Sequence, residues 1–524
     1  MEKSYHLTPE AFRYWGHQVI DWIASEYYEK LEEFPVLAQV KPGEIRSHLP
    51  DTPPIEGESV DAILKDFADI IVPGLTQWQS PNWFAYYPSN SSPITVIAEL
   101  LIAAVNNQGM LWQTSPSCTE LETLMTDWFV QALGLPDHFQ HKQGGGGVLQ
   151  DSASSGCLCA MIAARKQALD REQEEQSWFS SVDKSVQPQL NEFSQLDKSR
   201  NILTKIKMVV KHLLENQQKP GLQRLSAYIS SETHASVIKN FRILFGGTQN
   251  LRIIPVDEQF GMRSDLLEKQ ICDDRGRGLI PFFCCATVGT TSSGAIDPVA
   301  EIGRICEANS VWLHVDAAHY GTAAICPEYR FVNDGVEKAE SYSVNAHKWF
   351  PGNFDCSFLF LRNPSALIDA LSITPEYLRN RPSELGFGVV DYRDWQIPLG
   401  RRFRSLKVWF AMRQLGLEGL RYHIERHIEL TKKLEQLIRH SDFELVVPPI
   451  LNLLCFRYPK GDEFNQLLLE SVNQTGKLFL SHTKLNGRFV MRFCISQTYT
   501  QERHVEQAWN LVQGKARELL KQFS

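Results

Sequence analysis

A lysine in unusual surroundings is the first residue of this chain whose setting could do chemistry. Lys348 follows His347 and lies between Val344 and Trp349, so aromatic and small residues flank its amine. Removal from water lowers the pKa of an ammonium group and frees its lone pair to bond an aldehyde. A lone lysine in such a setting is more often structural, with its stem packed on apolar surface. The interpretation of Lys348 therefore depends on what the fold places beside it.

An aspartate at the end of an apolar stretch is the second candidate. Residues 311–316 read as a buried strand that ends at Asp316, with small residues after it. Ligands of open α/β sheets bind beyond the carboxyl ends of the strands. Pyridoxal 5'-phosphate (PLP) needs a lysine for its aldehyde, a carboxylate beside its ring nitrogen and a cradle for its phosphate. Lys348 and Asp316 would provide the first two, whereas Asp316 alone would be interpreted as a turn cap.

A glycine-rich segment offers the third requirement. Four consecutive glycines, 144–147, precede a short predicted strand, 148–150, and the hydroxyl-rich segment 151–156 that opens a predicted helix. Unpaired N–H groups and serine hydroxyls at a helix start form an anion site. No Lys-Ser/Thr pair follows, so this is not a Walker A loop. A serine-rich helix start is more often only a cap, but together with Lys348 and Asp316 it would supply the phosphate cradle.

The composition predicts a globular protein of two or three domains. The chain has 524 residues, of which 43% are hydrophobic. Its net charge of −8 argues against nucleic acid or an anionic membrane as a partner. The close cysteine pairs lack zinc-site spacing, so we predict no metal site. No apolar signal segment is present at the N-terminus, and we expect a cytoplasmic protein.

Apolar strands alternate with helical segments through the middle of the chain, and 279–288 is almost continuously apolar. This pattern predicts an α/β fold with a mostly parallel central sheet and helices on both faces. We divide the chain into an N-terminal helical segment (1–92), a large domain (93–406) and a small α+β domain (407–524). The first predicted helix has an aromatic face that must be covered, and the sequence alone slightly favours its own domain over a second subunit.

Two loops carry further candidates. The segment 78–88 contains five aromatic residues. Flat side chains suit a flat apolar substrate, but they also build ordinary cores, which the sequence alone favours. The segment 374–388 is rich in Pro, Arg and Asn, contains Tyr377 and is predicted to be a mobile loop. The polar segment 166–220 is predicted, in its first half, to be a solvated excursion.

Taken together, these stretches resemble the group II PLP-dependent decarboxylases, and most closely the aromatic-L-amino-acid decarboxylases. The likeness covers nearly the whole chain and rests on motifs in one order: Ser80-Pro81 with the aromatic loop, 115–122, His314-Val315-Asp316-Ala317-Ala318, Asn345-Ala346-His347-Lys348-Trp349, 355–357 and 395–407. The resemblance implies the PLP-dependent transferase fold type I (aspartate aminotransferase-like). It also implies an obligate homodimer with the active site at the subunit interface. Its N-terminal helices would clasp the partner, which reverses the preference stated above.

The resemblance also implies roles for individual residues. Lys348 would bond the cofactor, Asp316 would pair with the ring nitrogen and His234 would stack on the ring. The cofactor contacts that it implies are Ala153, Ser154, Thr287 or a neighbour in its turn, Asp316, Ala318, Asn345, His347, Lys348 and, from the partner subunit, Gly400. The substrate contacts that it implies are Trp78, Tyr86, Tyr87, Pro88 and His234. Tyr377 would protonate the substrate carbon after CO2 has left.

The resemblance predicts decarboxylation of an aromatic L-amino acid (Trp, Tyr, Phe or dihydroxyphenylalanine) to the amine and CO2. Alternatives are a decarboxylase of the histidine or glutamate class, an oxygen-dependent aromatic aldehyde synthase, and a catalytically dead dimer used for binding. The intact set of Lys348, Asp316 and His234 disfavours the last. The presence of both Tyr377 and His234 favours the amine as product. Ala346 departs from the proline common in relatives, which should loosen its turn without removing chemistry.

Overall fold

The computed structural model describes residues 5–193, 221–373 and 388–522, with 176–193 described by its backbone alone. The chain forms two compact units, a large unit (Ser92–Tyr422) and a small unit (Met1–Ser91 with His423–Ser524). The division made from the sequence separated 1–92 from 407–524, whereas the structure groups most of both in the small unit. Backbone hydrogen bonds explain this grouping. The N–H of Phe84 donates to Phe479 O (3.0 Å) and the N–H of Cys494 donates to Phe84 O (2.9 Å).

The helices and strands are numbered here in chain order. The α-helices are α1 (Pro9–Trp22), α2 (Glu44–Ser47), α3 (Val60–Asp66), α4 (Pro93–Val105), α5 (Pro116–Leu133), α6 (Ala153–Phe193), α7 (Gly221–Arg224), α8 (Ala235–Phe245), α9 (Ser264–Gly276), α10 (Val299–Ala308), α11 (Ser365–Leu371), α12 (Arg404–Arg439), α13 (Asp462–Asn473) and α14 (Glu502–Leu520). The strands are β1 (Gly146–Gln150), β2 (Leu225–Ser230), β3 (Leu251–Ile254), β4 (Ile280–Thr287), β5 (Trp312–Asp316), β6 (Ser341–Asn345), β7 (Ser357–Leu361), β8 (Glu444–Leu445), β9 (Leu453–Arg457), β10 (Ser481–Leu485) and β11 (Arg488–Cys494).

The large unit is built on a seven-stranded sheet of order β1-β7-β6-β5-β4-β2-β3. The strands β3, β2, β4, β5 and β6 run parallel, and β7 is antiparallel to both β6 and β1. Every residue of β1, β2, β5, β6 and β7 is buried. Strands covered on both faces need apolar side chains on both faces, which explains the continuous apolar runs. The predicted α/β class with a mainly parallel sheet is confirmed.

The polar segment after the glycine-rich turn differs from the prediction. Its first part is helical, because α6 continues to Phe193. The apolar residues at the start of α6 pack on the sheet in one core cluster, which includes Cys157, Ala160 and Ala164. The rest of the segment, 194–220, lies outside the described residues.

A buried ion pair joins three segments of the large unit near the end of β1. Arg401 pairs with Glu122 in α5, and both side chains are almost fully buried. Glu122 Oε1 also accepts the N–H of Leu149 (2.8 Å), and Arg401 donates to Gln396 Oε1 (2.7 Å). Removing one partner of such a pair leaves an uncompensated buried charge, at a cost of about 3–5 kcal/mol. The pair therefore ties α5, β1 and the segment before α12 together.

The small unit contains an antiparallel sheet of order β10-β11-β9-β8. The two-residue connection between β10 and β11 is Asn486-Gly487, with φ values of 49° and 76°. Positive φ at both residues is what a type I′ hairpin turn requires, and Asn-Gly is its preferred sequence. A core that includes Phe464 of α13 and Trp509 of α14 packs with the sheet. The predicted small α+β domain accordingly has both helices and strands.

Two further observations concern the described part of the chain. None of the helices in that part combines the length and apolar character needed to span a membrane. All eleven cysteines are free thiols, and all except Cys272 are buried. The ten buried cysteines therefore behave as small apolar core residues.

Candidate active site

The ends of three neighbouring strands bring candidate residues to one edge of the large sheet. Thr287 ends β4, Asp316 ends β5 and Asn345 ends β6. Thr287 is the register partner of Asp316. Because these strands are parallel, their carboxyl ends meet at the same edge. This is the edge at which the sequence predicts a ligand site.

Lys348 lies in the turn that follows β6. Its N–H donates to Asn345 O (3.2 Å), and its side chain is half-buried. Burial lowers the pKa of both His234 and His347, and the positive charge of Lys348 adds to each shift. The ammonium group is therefore within electrostatic reach of both imidazoles.

Asp316 is held by the loop that follows its own strand. It is 8% exposed, and its Oδ1 accepts the N–H of Ala318 at 3.1 Å. The carbonyl oxygen of Ala318 in turn accepts the N–H of Asn345 (3.0 Å). These bonds connect the end of β5 to the end of β6. The structure thus places Ala318 beside Asp316 and Asn345, and its implied contact with the cofactor stays a prediction.

His234 is the residue before α8, and its ring orientation is fixed locally. Nδ1 accepts the N–H of Ser236 (3.2 Å) and lies 2.8 Å from Ser236 Oγ. The neutral ring therefore carries its proton on Nε2. Partial removal from water lowers the pKa of His234, the Asp316 charge opposes that shift, and the Lys348 charge reinforces it. His234 is exposed, and its ring is close enough to Asp316 and Lys348 for both charges to act on its pKa.

His347 and Asn345 present hydrogen-bond donors at the end of β6. Burial, followed by the positive charges of Lys348 and Lys407, lowers the pKa of His347 to about 3. His347 Nδ1 accepts the N–H of Cys356 at 2.9 Å, so its neutral ring has the proton on Nε2. Asn345 Oδ1 accepts the Ser357 hydroxyl (2.6 Å), which leaves the amide NH2 as its donor group.

The N-terminus of α6 supplies the third candidate group. Ser152 Oγ accepts the N–H of Ser155 (3.2 Å), so Ser152 caps the helix and Ala153 and Ser154 form its first turn. First-turn N–H groups have no acceptor within the helix and carry the positive end of its dipole. Gln150, just upstream, pairs with Ser357 of β7. Since Ser357 also pairs with Asn345, this helix start belongs to the same sheet edge.

These residues fit PLP, and an orphaned hydroxyl supports the fit. Thr287 Oγ1 is buried and has no hydrogen-bond partner among the described residues. Its backbone N–H is occupied by Asp297 Oδ2 (2.7 Å). A buried hydroxyl beside Asp316 that lacks a partner is an available donor for a ligand oxygen. Lysine, carboxylate, helix N-terminus and hydroxyl are together the donor set that the cofactor requires.

The structure does not bring every predicted residue into this group. Tyr377 lies outside the described residues. Gly400 is exposed in the large unit, where its carbonyl oxygen accepts Gln396 Nε2 (3.3 Å). Its implied approach from a partner subunit stays a prediction. The implied substrate contacts Trp78, Tyr86, Tyr87 and Pro88 belong to the small unit.

The aromatic loop, 78–88, has both buried and exposed rings. Trp78 stacks on Trp83, with ring centroids 4.1 Å apart, and Trp83 is buried in the core. Tyr86 is 49% exposed and has φ of 52°, and its N–H donates to Ser481 Oγ (3.0 Å). The loop is therefore partly core, as the sequence alone favoured, and partly exposed aromatic surface. Its role in substrate binding stays a prediction.

Three buried polar residues at this edge were missed from the sequence. His314 and Ser343 share a sheet face with Asp316, and Asp297 accepts the N–H groups of Thr287 and Met262, both at 2.7 Å. Period-two alternation from Asp316 could have indicated His314, because residues i and i−2 of a strand lie on one face. No local pattern marks Asp297 or Ser343, whose positions depend on tertiary packing.

Comparison with known proteins agrees with this geometry. The family described as pyridoxal-dependent decarboxylase conserved domain matches residues 42–209 and 201–459. Tyrosine decarboxylase 2 of Narcissus pseudonarcissus is 43% identical, over 99% of this chain and 97% of the relative. Phenylacetaldehyde synthase of Arabidopsis thaliana is also 43% identical, over 98% and 97%. A crystal structure of Oryza sativa TDC with PLP and tryptamine has a TM-score of 0.87 and 35% identity, over 99% and 100%.

The sheet, the lysine and its surrounding donors define a PLP-dependent enzyme of fold type I, as predicted. The alignments extend over almost the full length of both proteins and are well above the identity at which only the fold would be shared. The chain belongs to the pyridoxal-dependent decarboxylase family, and its cofactor is PLP.

Proposed function

We propose that this enzyme decarboxylates an aromatic L-amino acid and releases the corresponding amine and CO2. The observation that carries the proposal is the grouping of Lys348, Asp316 and His234 at one sheet edge, with the charges of the first two acting on the third. The relative named as a tyrosine decarboxylase and the rice protein solved with tryptamine support an aromatic substrate. Among Trp, Tyr, Phe and dihydroxyphenylalanine, the chain itself indicates no preference.

The position of each of these residues indicates its proposed role. Lys348 would hold the cofactor, and the Asp316 carboxylate would favour the protonated form of its ring nitrogen. When bound, PLP supplies an electron sink for the pair left on the substrate carbon after CO2 departs. His234 would add a flat surface beside that ring, and its lowered pKa means that it would add no full positive charge there. In this arrangement the Asp316 carboxylate is the charged group that would act on the ring nitrogen.

The phosphate would be held by donors rather than by a cation. His347 stays neutral through the physiological range, so it donates only from Nε2. The Asn345 amide and the first-turn N–H groups of Ala153 and Ser154 provide further donors. Fixed donors of this kind position a bound group without reorganisation during the reaction. They would orient the substrate bond to be broken relative to the ring.

An aldehyde is the second candidate product. A relative of equal identity is named as a phenylacetaldehyde synthase, so sequence similarity alone does not decide the product. The chain has both His234 and Tyr377, which favours proton delivery to the substrate carbon and release of an amine. Decarboxylases of the histidine or glutamate class remain an alternative for the substrate.

The test is an assay of the purified holoenzyme against the twenty amino acids. CO2, amine, aldehyde, ammonia and peroxide are quantified separately, with Lys348→Ala as the inactive control. We expect CO2 and amine in equal amounts from an aromatic amino acid. Equal amounts of CO2, aldehyde and peroxide would identify an aldehyde synthase. A higher kcat/KM for glutamate or histidine than for any aromatic amino acid would contradict the proposed substrate class.

We also propose a homodimer, whose active site lies at the subunit interface. The helix α1 buries none of its residues within the chain, and Phe12, Tyr14 and Ile20 are 59%, 58% and 51% exposed. Such a patch is typical of a protein interface. Sedimentation equilibrium should give twice the chain mass of 59.8 kDa. A fully active monomer would contradict the proposal.

A cytoplasmic location is likewise proposed, from the amino-acid composition. Eleven cysteines, all of them free thiols, are typical of a protein in a reducing compartment. Microscopy of a fluorescent fusion should show diffuse cytoplasmic signal, and accumulation in an organelle or at a membrane would contradict it.

A further inference from the structure

Three orphaned polar atoms lie around Asp316 inside the sheet. The atoms are Thr287 Oγ1, Ser343 Oγ and His314 Nε2. Their residues are 4%, 1% and 0% exposed, and none of the three atoms has a hydrogen-bond partner among the described residues. Buried polar groups without partners are rare in proteins and call for an explanation. Bound cofactor would provide a partner for Thr287, whereas the candidate active site provides none for Ser343 or His314.

Strand register shows where these atoms lie. Asp316 pairs with Thr287 on one side and with Ser343 on the other. His314 lies two residues before Asp316, and so on the same sheet face. A Cβ added to Gly156 of α6 would stand 3.6 Å from Ser343 Oγ, so the helix covers this face. Ser343 and His314 therefore lie between α6 and the sheet. Ser343 is beside Asp316 on the neighbouring strand, and His314 is two residues before Asp316 on the same strand.

A hydrogen-bond relay contacts the His314 ring and allows a tautomer with the proton on Nε2. Trp312 Nε1 donates to Ser341 Oγ (2.8 Å), and that hydroxyl lies 2.8 Å from His314 Nδ1. Since the hydroxyl oxygen accepts from Trp312, its proton is free to donate to Nδ1. His314 is then neutral with its proton on Nε2, which is the orphaned atom. Burial lowers the pKa of His314 to about 4, so the ring remains neutral at physiological pH.

We propose that His314 and Ser343 orient the Asp316 carboxylate through a buried water molecule. The Nε2–H of His314, the hydroxyl of Ser343 and a carboxylate oxygen would give that water three polar partners, the usual number. The other carboxylate oxygen keeps its bond from Ala318 N–H. His314 is thus a positioning residue, since it acts on the cofactor only through Asp316. The inference rests on the proposed function, because it concerns the carboxylate that serves the ring nitrogen.

Four variants separate this role from packing. His314→Phe removes the donor and keeps a ring, whereas His314→Gln retains an N–H donor. Ser343→Ala removes one hydroxyl and is small enough to leave the fold intact. Phe283→Leu is the matched control, because the Phe283 ring stacks on His314 at 6.0 Å and is equally buried but has no polar atom.

We expect His314→Phe to lower kcat about 10-fold with KM unchanged, as loss of a supporting hydrogen bond does at other sites. Ser343→Ala should act in the same direction, and His314→Gln should recover most of the loss. Both damaging variants should change the absorption spectrum of the bound cofactor and speed its release on dialysis. Phe283→Leu should preserve kcat and the spectrum, even where its thermal stability falls.

A high-resolution crystal structure of the holoenzyme gives the direct measurement. It should show a water molecule within hydrogen-bonding distance of His314 Nε2, Ser343 Oγ and Asp316. A dry site there would overturn the proposal. So would wild-type kcat and spectrum in Ser343→Ala, or an equal loss in Phe283→Leu. If the wild-type enzyme released no CO2 from aromatic amino acids, the proposed function would fail, while the spectra and the water position would still decide this inference.

Discussion

The buried carboxylate of Asp297 should make the stability of this enzyme fall as pH rises towards neutrality. Asp297 is 1% exposed and accepts the N–H groups of Thr287 and Met262. Burial raises its pKa from 3.8 to about 7, the two hydrogen bonds oppose the shift, and the charges of Asp257 and Glu232 add to it. The perturbation that isolates this group is Asp297→Asn, which cannot ionise.

The sign follows from proton linkage. The folded-state pKa lies above the unfolded value, so the folded protein binds this proton more tightly. The resulting stabilisation is complete below about pH 4 and is lost as pH rises to 7. Three pKa units correspond to about 4 kcal/mol, of which roughly 2–3 kcal/mol falls between pH 5 and pH 8. Asparagine cannot accept both N–H groups, which costs about 1–3 kcal/mol at every pH.

The assay is calorimetry of the holoenzyme at pH 5, 6, 7 and 8. We expect Asp297→Asn to melt below the wild type at pH 5, and the gap to close by roughly 5 °C at pH 8, at about 2 °C per kcal/mol. Glu258→Gln is the control, because it removes an exposed carboxylate that adjoins Asp257 in the chain and should show no such trend. A melting gap that stays constant from pH 5 to pH 8 would refute the reasoning, because Asp297 would then not titrate in this window.

Three further predictions concern the reaction itself. Borohydride reduction should fix a pyridoxyl group on Lys348, as peptide mass spectrometry would show; a label on another lysine, or none after addition of PLP, would remove the basis of the assignment. Asp316→Asn should retain the cofactor but lose about 10²-fold or more in kcat, because an amide cannot stabilise a protonated ring nitrogen; near-wild-type turnover would contradict that role. Tyr377→Phe should still release CO2 but yield aldehyde, ammonia and peroxide in place of most of the amine; an unchanged amine yield would mean that another group donates the proton.

Much of the fold followed from local patterns. The strand ending at Asp316 was predicted as 311–316 and is Trp312–Asp316, and the almost continuously apolar run 279–288 is Ile280–Thr287. A continuous apolar run is typical of a strand that is buried on both faces. Where such runs alternate with helices, they indicate a parallel sheet that helices cover on both sides. The extent of α6 was not predicted, because the polar residues before Phe193 show no apolar periodicity.

The sequence predicted the candidate site only where a residue has distinctive neighbours or matches a family motif. Lys348 and Asp316 have distinctive neighbours, and the family likeness assigned roles to them and to His234. Asp297, by contrast, is a single acidic residue after a turn, and its partners lie 10 and 35 residues away. Burial is the main cause of its raised pKa, and burial is a property of the folded molecule. Sequence patterns record periodicity along one element, whereas such contacts join several elements.

The small unit is assembled from the two ends of the chain, Met1–Ser91 and His423–Ser524. On a ribosome Met1–Ser91 emerges before Ser92–Tyr422, and its partners in His423–Ser524 are made only after that intervening segment. At roughly 5–20 residues per second, synthesis of the intervening Ser92–Tyr422 takes on the order of 20–60 s. During that interval Phe84 has neither of its strand neighbours, and the aromatic loop around it is an exposed apolar segment. The large unit, which is continuous in sequence, can fold during the same interval. Newly made chains are consequently most exposed to aggregation and to chaperones through their N-terminal residues.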